Sequence, residues 1–261
     1  MEIPVITFEL IAILFAIAIL AGLLDTLAGG GGLITIPALI LSGVGPLTAL
    51  GTNKLQGSMG TATATFIMLR SKRVKWREVR GLMLIAFLAA AFGSLVVQFM
   101  DSAMLNYIIP VVISFIGIYF LVSPMPSQDK EKSDESKRYY KKFAVPAIGF
   151  YDGFFGPGTG SFFTLAGVTL KGGDIINATA VAKTLNFATN IASLMIFLLA
   201  GKIAWIIGLA MMLGQAVGAW LGCHCLFSIN PKLLRALIVV MCFGMLLKYS
   251  YEMNWISFTF L

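Results

Sequence analysis

The chain has 261 residues, of which 58% are hydrophobic and 12% charged, with a mean hydropathy of +0.90 and a net charge of +7. Soluble domains carry about 25% charged residues, so a soluble globular protein is excluded and the length describes one membrane bundle. The basic residues gather in short loops between apolar runs, where they read as topology signals and not as a nucleic-acid surface.

The first apolar stretch, Val5 to Leu24, is preceded by Glu2 and by no Lys or Arg. A secretory signal needs a positive leading region, so a retained first helix is expected. Apolar runs between Gly/Pro and charged punctuation then divide the first half at Val5 to Leu27, Leu33 to Ser42, Leu47 to Leu69, Leu82 to Met100 and Leu105 to Val122. The second half divides at Phe143 to Phe155, Phe162 to Leu170, Ile175 to Ala200, Ile203 to Phe227 and Leu233 to Leu247. Between them, prolines and the mixed charges from Asp129 to Lys142 mark an exposed linker. The expected architecture is an all-α, polytopic helical bundle: a first repeat over 1–123, a linker over 124–142 and a second repeat over 143–261.

The second run in each half is too short to span a bilayer, which takes about 20 residues. These runs read as half-helices beyond broken ones, and irregular backbone at that depth is tolerated only where it lines a protein or water-filled cavity. The breaks correspond. Gly22-Leu-Leu-Asp25-Thr-Leu-Ala-Gly29-Gly-Gly-Gly32 precedes Lys54 as Gly149-Phe-Tyr-Asp152-Gly-Phe-Phe-Gly156-Pro-Gly-Thr-Gly160 precedes Lys183, with 29 and 31 residues from aspartate to lysine. Interrupted apolar segments at matching places in two halves point to a transporter's binding site.

Orientation follows from charge. Six basic residues crowd 70–80 and six more lie in the linker, with two spans between, so both loops belong in the cytoplasm. The turn at Lys202 has one lysine, the next carries Lys232 and Arg235, and neither terminus has Lys or Arg. An inverted repeat with both termini outside satisfies this pattern. The helix holding Gly214, Gly218 and Gly222 is spaced for close packing, inside the protomer or across a homodimer seam.

Lysines in apolar spans are functional candidates by default, which singles out Lys54 and Lys183; the alternatives are an ion pair with Asp25 or Asp152, or snorkelling. Helices that start after Gly30, Gly31 and Gly32, and after Gly158, Thr159 and Gly160, would offer free N–H groups and the positive end of the dipole to an anion, unless the glycines only permit close packing. Asn53 and Gln56 flank Lys54, and Asn186 and Asn190 share a helix face with Lys183; they would orient an oxyanion or bond between helices. Asp25 and Asp152 would carry a coupling proton or cap the broken backbone. His224 is the single histidine, and no HExxH or GxSxG is present, so no enzyme is expected. Cys223, Cys225 and Cys242 give no disulfide framework, and adjacent Cys223, His224 and Cys225 point apart on a helix, so no metal or other cofactor is expected.

Three strings, Asp25-Thr-Leu-Ala-Gly-Gly-Gly-Gly-Leu, Ala49-Leu-Gly-Thr-Asn-Lys54-Leu-Gln56 and Gly149-Phe-Tyr-Asp-Gly-Phe-Phe-Gly-Pro157, resemble the TauE/SafE family of sulfite exporter-like proteins. The resemblance covers essentially the whole chain. It implies a multi-pass protein of the bacterial inner membrane that moves small anions such as sulfite, sulfoacetate or related carboxylates. Where relatives show Pro-Ala-Ala-Gly in the second break, Pro157-Gly158-Thr159-Gly160 keeps the backbone cradle. The resulting expectation is a secondary anion exporter working by alternating access, with membrane lipid and a small anion as partners. A passive anion channel and a non-transporting scaffold are the alternatives.

Overall fold

The computed structural model describes residues 7–122, 132–172 and 174–225, together with Val240, Phe243, Gly244 and Leu247. The elements are helices: α1 Phe8–Ala28, α2 Gly32–Leu41, α3 Pro46–Arg70, α4 Trp76–Val97, α5 Ser102–Val122, α6 Asp134–Tyr139, α7 Val145–Phe154, α8 Thr159–Ala166, α9 Ile175–Leu199 and α10 Trp205–Cys225. Among the described residues, four helices (α1, α4, α9 and α10) are long and apolar enough to cross a membrane. The chain is an all-α, multi-pass membrane protein. Most of the expected last segment, Leu233 to Leu247, lies outside the described residues, as do Lys232, Arg235, Cys242 and both chain ends.

Helix α3 is as long as α9 at 25 residues but far more polar, because Thr52, Asn53, Lys54, Gln56, Ser58, Thr61 and Thr65 are all buried in protein. A helix at membrane depth can carry such a stripe only where other helices cover it. Helix α4 starts six residues before the expected Leu82, since Arg77, Glu78 and Arg80 lie on the exposed side of a turn whose Val79 is buried.

The second half of the linker is helical too. Ser133 caps α6, accepting from the Ser136 N–H at 3.2 Å; Asp134 and Glu135 then sit at the positive end of the helix, and Lys137 and Arg138 near its other end. A π-helical stretch, Tyr140–Ala144, carries this helix without interruption into α7. The continuous helix from Asp134 to Phe154 therefore matches α1 in length, at 21 residues.

Close contacts fix the helix directions. Gly214, Gly218 and Gly222 of α10 seat in order against Phe15, Ile19 and Thr26 of α1, so these two helices are parallel and the glycine ladder packs inside the protomer. Gly149 and Gly153 of α7 seat in the same way against Ala86 and Ala90 of α4. Helix α3 runs parallel to α10, with Gly208 against Thr52 and Leu55 and Gly60 against Gln215. It runs antiparallel to α9: Gly51 meets Phe197, Gly57 meets Asn190, and the Thr65 hydroxyl donates to the Lys183 carbonyl at 3.2 Å. Helix α2 folds back along α1, its Ala38 and Leu39 packing with Leu14 and Ala18. The start of α4 and the linker helix share one end of the bundle, where Leu82 clusters with Tyr140 and Val145. The Lys202 turn, whose backbone abuts Gly51 near the start of α3, lies at the other end.

Candidate functional site

The two breaks touch. Gly29 ends α1 in the left-handed conformation at φ 75°, with its N–H donating to the Asp25 carbonyl at 2.6 Å. A Cβ at Gly29 would fall on the backbone of Gly160, so glycine is required both for its dihedral angles and for the approach of the second break. The Ser161 hydroxyl donates to the Ala28 carbonyl, and a Cβ on Gly32 would stand 3.3 Å from Cα of Pro157. The second break needs positive φ at Gly156 and Gly158 before α8 begins.

Each lysine pairs with the aspartate of the opposite half. Lys54, 1% exposed, donates from Nζ to Asp152 Oδ1 at 2.7 Å and also to the Asp152 carbonyl. Lys183, also 1% exposed, donates to Asp25 Oδ2 at 3.2 Å and to the Asp25 carbonyl. Each ammonium thus satisfies a carbonyl at the end of a broken helix, where the dipole is negative.

Each aspartate also bonds across its own break. Asp25 Oδ1 accepts the Gly31 N–H at 3.3 Å, and Asp152 Oδ1 accepts the Thr159 hydroxyl at 3.0 Å. Both lysines are therefore neutralised inside the protein, and an anion that reaches either must compete with a carboxylate. The backbones of the two lysines sit at different depths. Lys54 and Thr65, whose hydroxyl meets the Lys183 backbone, are eleven residues apart on α3, or about 16 Å along its axis.

The expected site residues fall into three groups around this crossing. Gly32 faces α3, where Asn53 Nδ2 lies 3.4 Å from a Cβ built on it, and Gly31 faces Ala21 and Asp25 of α1 and Gln215 of α10; Asn53 Oδ1 accepts from Thr35 at 2.7 Å and from Gln56 Nε2 at 3.2 Å. Gly160 stands beside Lys183 and Asn186. Asn190 faces Gly57 and donates to the Asn186 carbonyl at 2.8 Å, so part of its polarity is satisfied within α9. Thr159 belongs with Asp152 and Lys54, whose Nζ borders Gly156. Gly30 contributes its carbonyl to the Leu33 N–H at 3.0 Å, and Gly158 is the residue before α8.

One polar residue at the first break escaped the sequence reading. Gln215, 4% exposed on α10, lies against Gly31 and Gly60. The signal available was a carboxamide inside an apolar span, next to the glycine ladder. Three buried oxygens here have no hydrogen-bond partner: Gln56 Oε1, Gln215 Oε1 and Asp152 Oδ2.

The family model for the sulfite exporter TauE/SafE matches residues 14–249, which span both breaks and both lysines. The chain belongs to the sulfite exporter TauE/SafE family. It is 42% identical over 253 residues to a probable membrane transporter protein of Haemophilus influenzae, covering 97% of this chain and 99% of that one. It is 42% identical over 247 residues to the probable membrane transporter protein YfcA of Escherichia coli, covering 93% and 90%. With the probable membrane transporter protein ORF9 of a Sinorhizobium species it shares 39% over 243 residues, 93% of each chain. No solved structure matches. As a member of the TauE/SafE family with apolar spans throughout, the chain is a membrane transporter.

Proposed function

We propose that the chain is a secondary transporter, an exporter of a small oxyanion such as sulfite or sulfoacetate, working by alternating access at the crossed breaks. The observation that carries this reading is the exchange of partners between halves: Lys54 with Asp152, and Lys183 with Asp25. Within the apolar packing that joins the halves, these two buried ion pairs tie each broken helix to the lysine of the other half. The helix directions support inverted repeats, because α1 starts at the Lys202 end of the bundle and its counterpart α7 at the opposite end, while exchanging α1–α4 with α7–α10 maps the principal packing pairs onto one another. Such repeats place a central site between broken helices.

In this reading a proton arriving on Asp25 or Asp152 frees the paired lysine for the anion. The glycine-bordered N-termini of α2 and α8 and the carboxamides of Asn53, Gln56, Asn186 and Asn190 complete the site. The substrate class comes from the name of the family, sulfite exporter.

The test is flux of sulfite, sulfoacetate, thiosulfate and acetate in proteoliposomes of purified protein, with and without an imposed pH gradient. Saturable flux of at least one anion, driven by the gradient, is the expected result. Conduction indifferent to a counter-gradient would make the protein a channel, and absence of flux for every anion would point to a scaffold.

A further inference from the structure

We propose that the first break holds a carboxamide-lined subsite, formed by Gln56 and Gln215 at the N-terminus of α2, for an oxyanion that also carries a hydrogen-bond donor. The assignment rests on the transport reading above and narrows its substrate class.

Gln215 projects from α10 into a slot between two glycines. A Cβ on Gly60 would strike its Cγ, and one on Gly31, at the start of the ten-residue helix α2, would stand 3.3 Å from its Nε2. The amide nitrogen thus faces the start of that helix, and Oε1 is buried without a partner. Burying an amide with its hydrogen bonding unmet is unfavourable, so a side chain kept there for packing alone would be better replaced by an apolar one of the same size.

Gln56 supplies the second observation. It is fully buried, on the face of α3 that also carries Asn53 and Gly60, at spacings of three and four residues. Its Nε2 is committed to Asn53 Oδ1, which already accepts from Thr35, and its Oε1 is left as a buried acceptor with no donor.

Two buried acceptors without donors, on side chains grouped around the positive end of a helix, call for a ligand of mixed character. Its negative oxygens would lie at the N-terminus of α2, sharing that end with Asp25, and an O–H or N–H would meet the carboxamide oxygens. A hydroxylated, amino-bearing or singly protonated oxyanion has both parts; a fully deprotonated one does not. The other repeat lacks this arrangement, since the corresponding α7–α4 contact sets Gly149 and Gly153 against Ala86 and Ala90. The donor-reading side of the site is therefore the first break alone.

The probes are 2-hydroxyethanesulfonate and ethanesulfonate, which differ by one hydroxyl, each competing with sulfite counterflow in proteoliposomes of the full chain. The hydroxylated probe should inhibit at least about tenfold more strongly, as expected where a site hydrogen-bonds a substrate hydroxyl. Gln56→Met and Gln215→Met should remove that preference while the thermal midpoint in detergent holds or rises. Equal competition by the two probes, or none by either, overturns the assignment while sulfite counterflow keeps the transport reading intact. A fall in midpoint for both variants with the preference retained assigns the carboxamides to structure and also overturns it. Wild-type protein that moves no anion removes the transport reading, and this assignment with it.

Discussion

Lys54 and Lys183 matter because a buried ammonium cannot be left alone. Removing one partner of a buried ion pair costs about 3–5 kcal/mol, since the remaining charge stays desolvated. Lys54→Met should therefore lower the thermal midpoint by stranding Asp152. Adding Asp152→Asn should recover the midpoint, whereas adding Asp25→Asn should not, because Asp25 belongs to Lys183. The same logic, exchanged, applies to Lys183→Met with Asp25→Asn. Flux separates structure from transport: if the lysines hold the anion, the stabilised double variants remain inactive in the proteoliposome assay. Recovery of flux together with stability would reduce the lysine to a structural strut.

At the scale of elements, the parallel α1–α10 and α4–α7 pairs depend on backbones that approach too closely for side chains. A Cβ at Gly218 would strike the Ile19 carbonyl, whereas one at Gly81, on the exposed side of α4, would meet nothing within 4 Å. Gly218→Ala should cost about 1–3 kcal/mol as an overpacked contact. Gly81→Ala should gain up to about 1 kcal/mol by restricting the unfolded chain. Thermal melts in detergent decide between them, and an equal response from the two would refute the packing argument. These elements were readable in the sequence where glycine or proline cut an apolar run: both breaks and both half-helices stand close to their expected places. The helical start of α4 and the linker helix α6 were missed, because an exposed helical turn and a loop share the same charged composition. Burial, not composition, separates them. Sequence spacing could not reveal the crossing of the ion pairs either. Asp25 and Lys54 are 29 residues apart and look like natural partners, while their true partners come from a half more than 90 residues away.

Over the whole molecule, helix direction and charge make one joint prediction. Helices α1 and α3 both run parallel to α10, so Glu9, near the start of α1, lies at the opposite end of the bundle from Ser71, just past the end of α3. Ala200, at the turn after α9, lies at the Glu9 end because α9 is antiparallel to α3. The basic residues cluster at the Ser71 end, where the start of α4 meets the linker helix. Positive loops stay in the cytoplasm, so that end should face inward. In a background with Cys223, Cys225 and Cys242 replaced by serine, single cysteines at Glu9, Ser71 and Ala200 can be challenged with a membrane-impermeant maleimide. In intact cells Glu9→Cys and Ala200→Cys should label and Ser71→Cys should not; in inside-out vesicles the pattern should reverse. Labelling of Glu9→Cys and Ser71→Cys from the same side would contradict the helix directions themselves. A wholly reversed pattern would leave the directions standing and show that charge is not what orients this bundle.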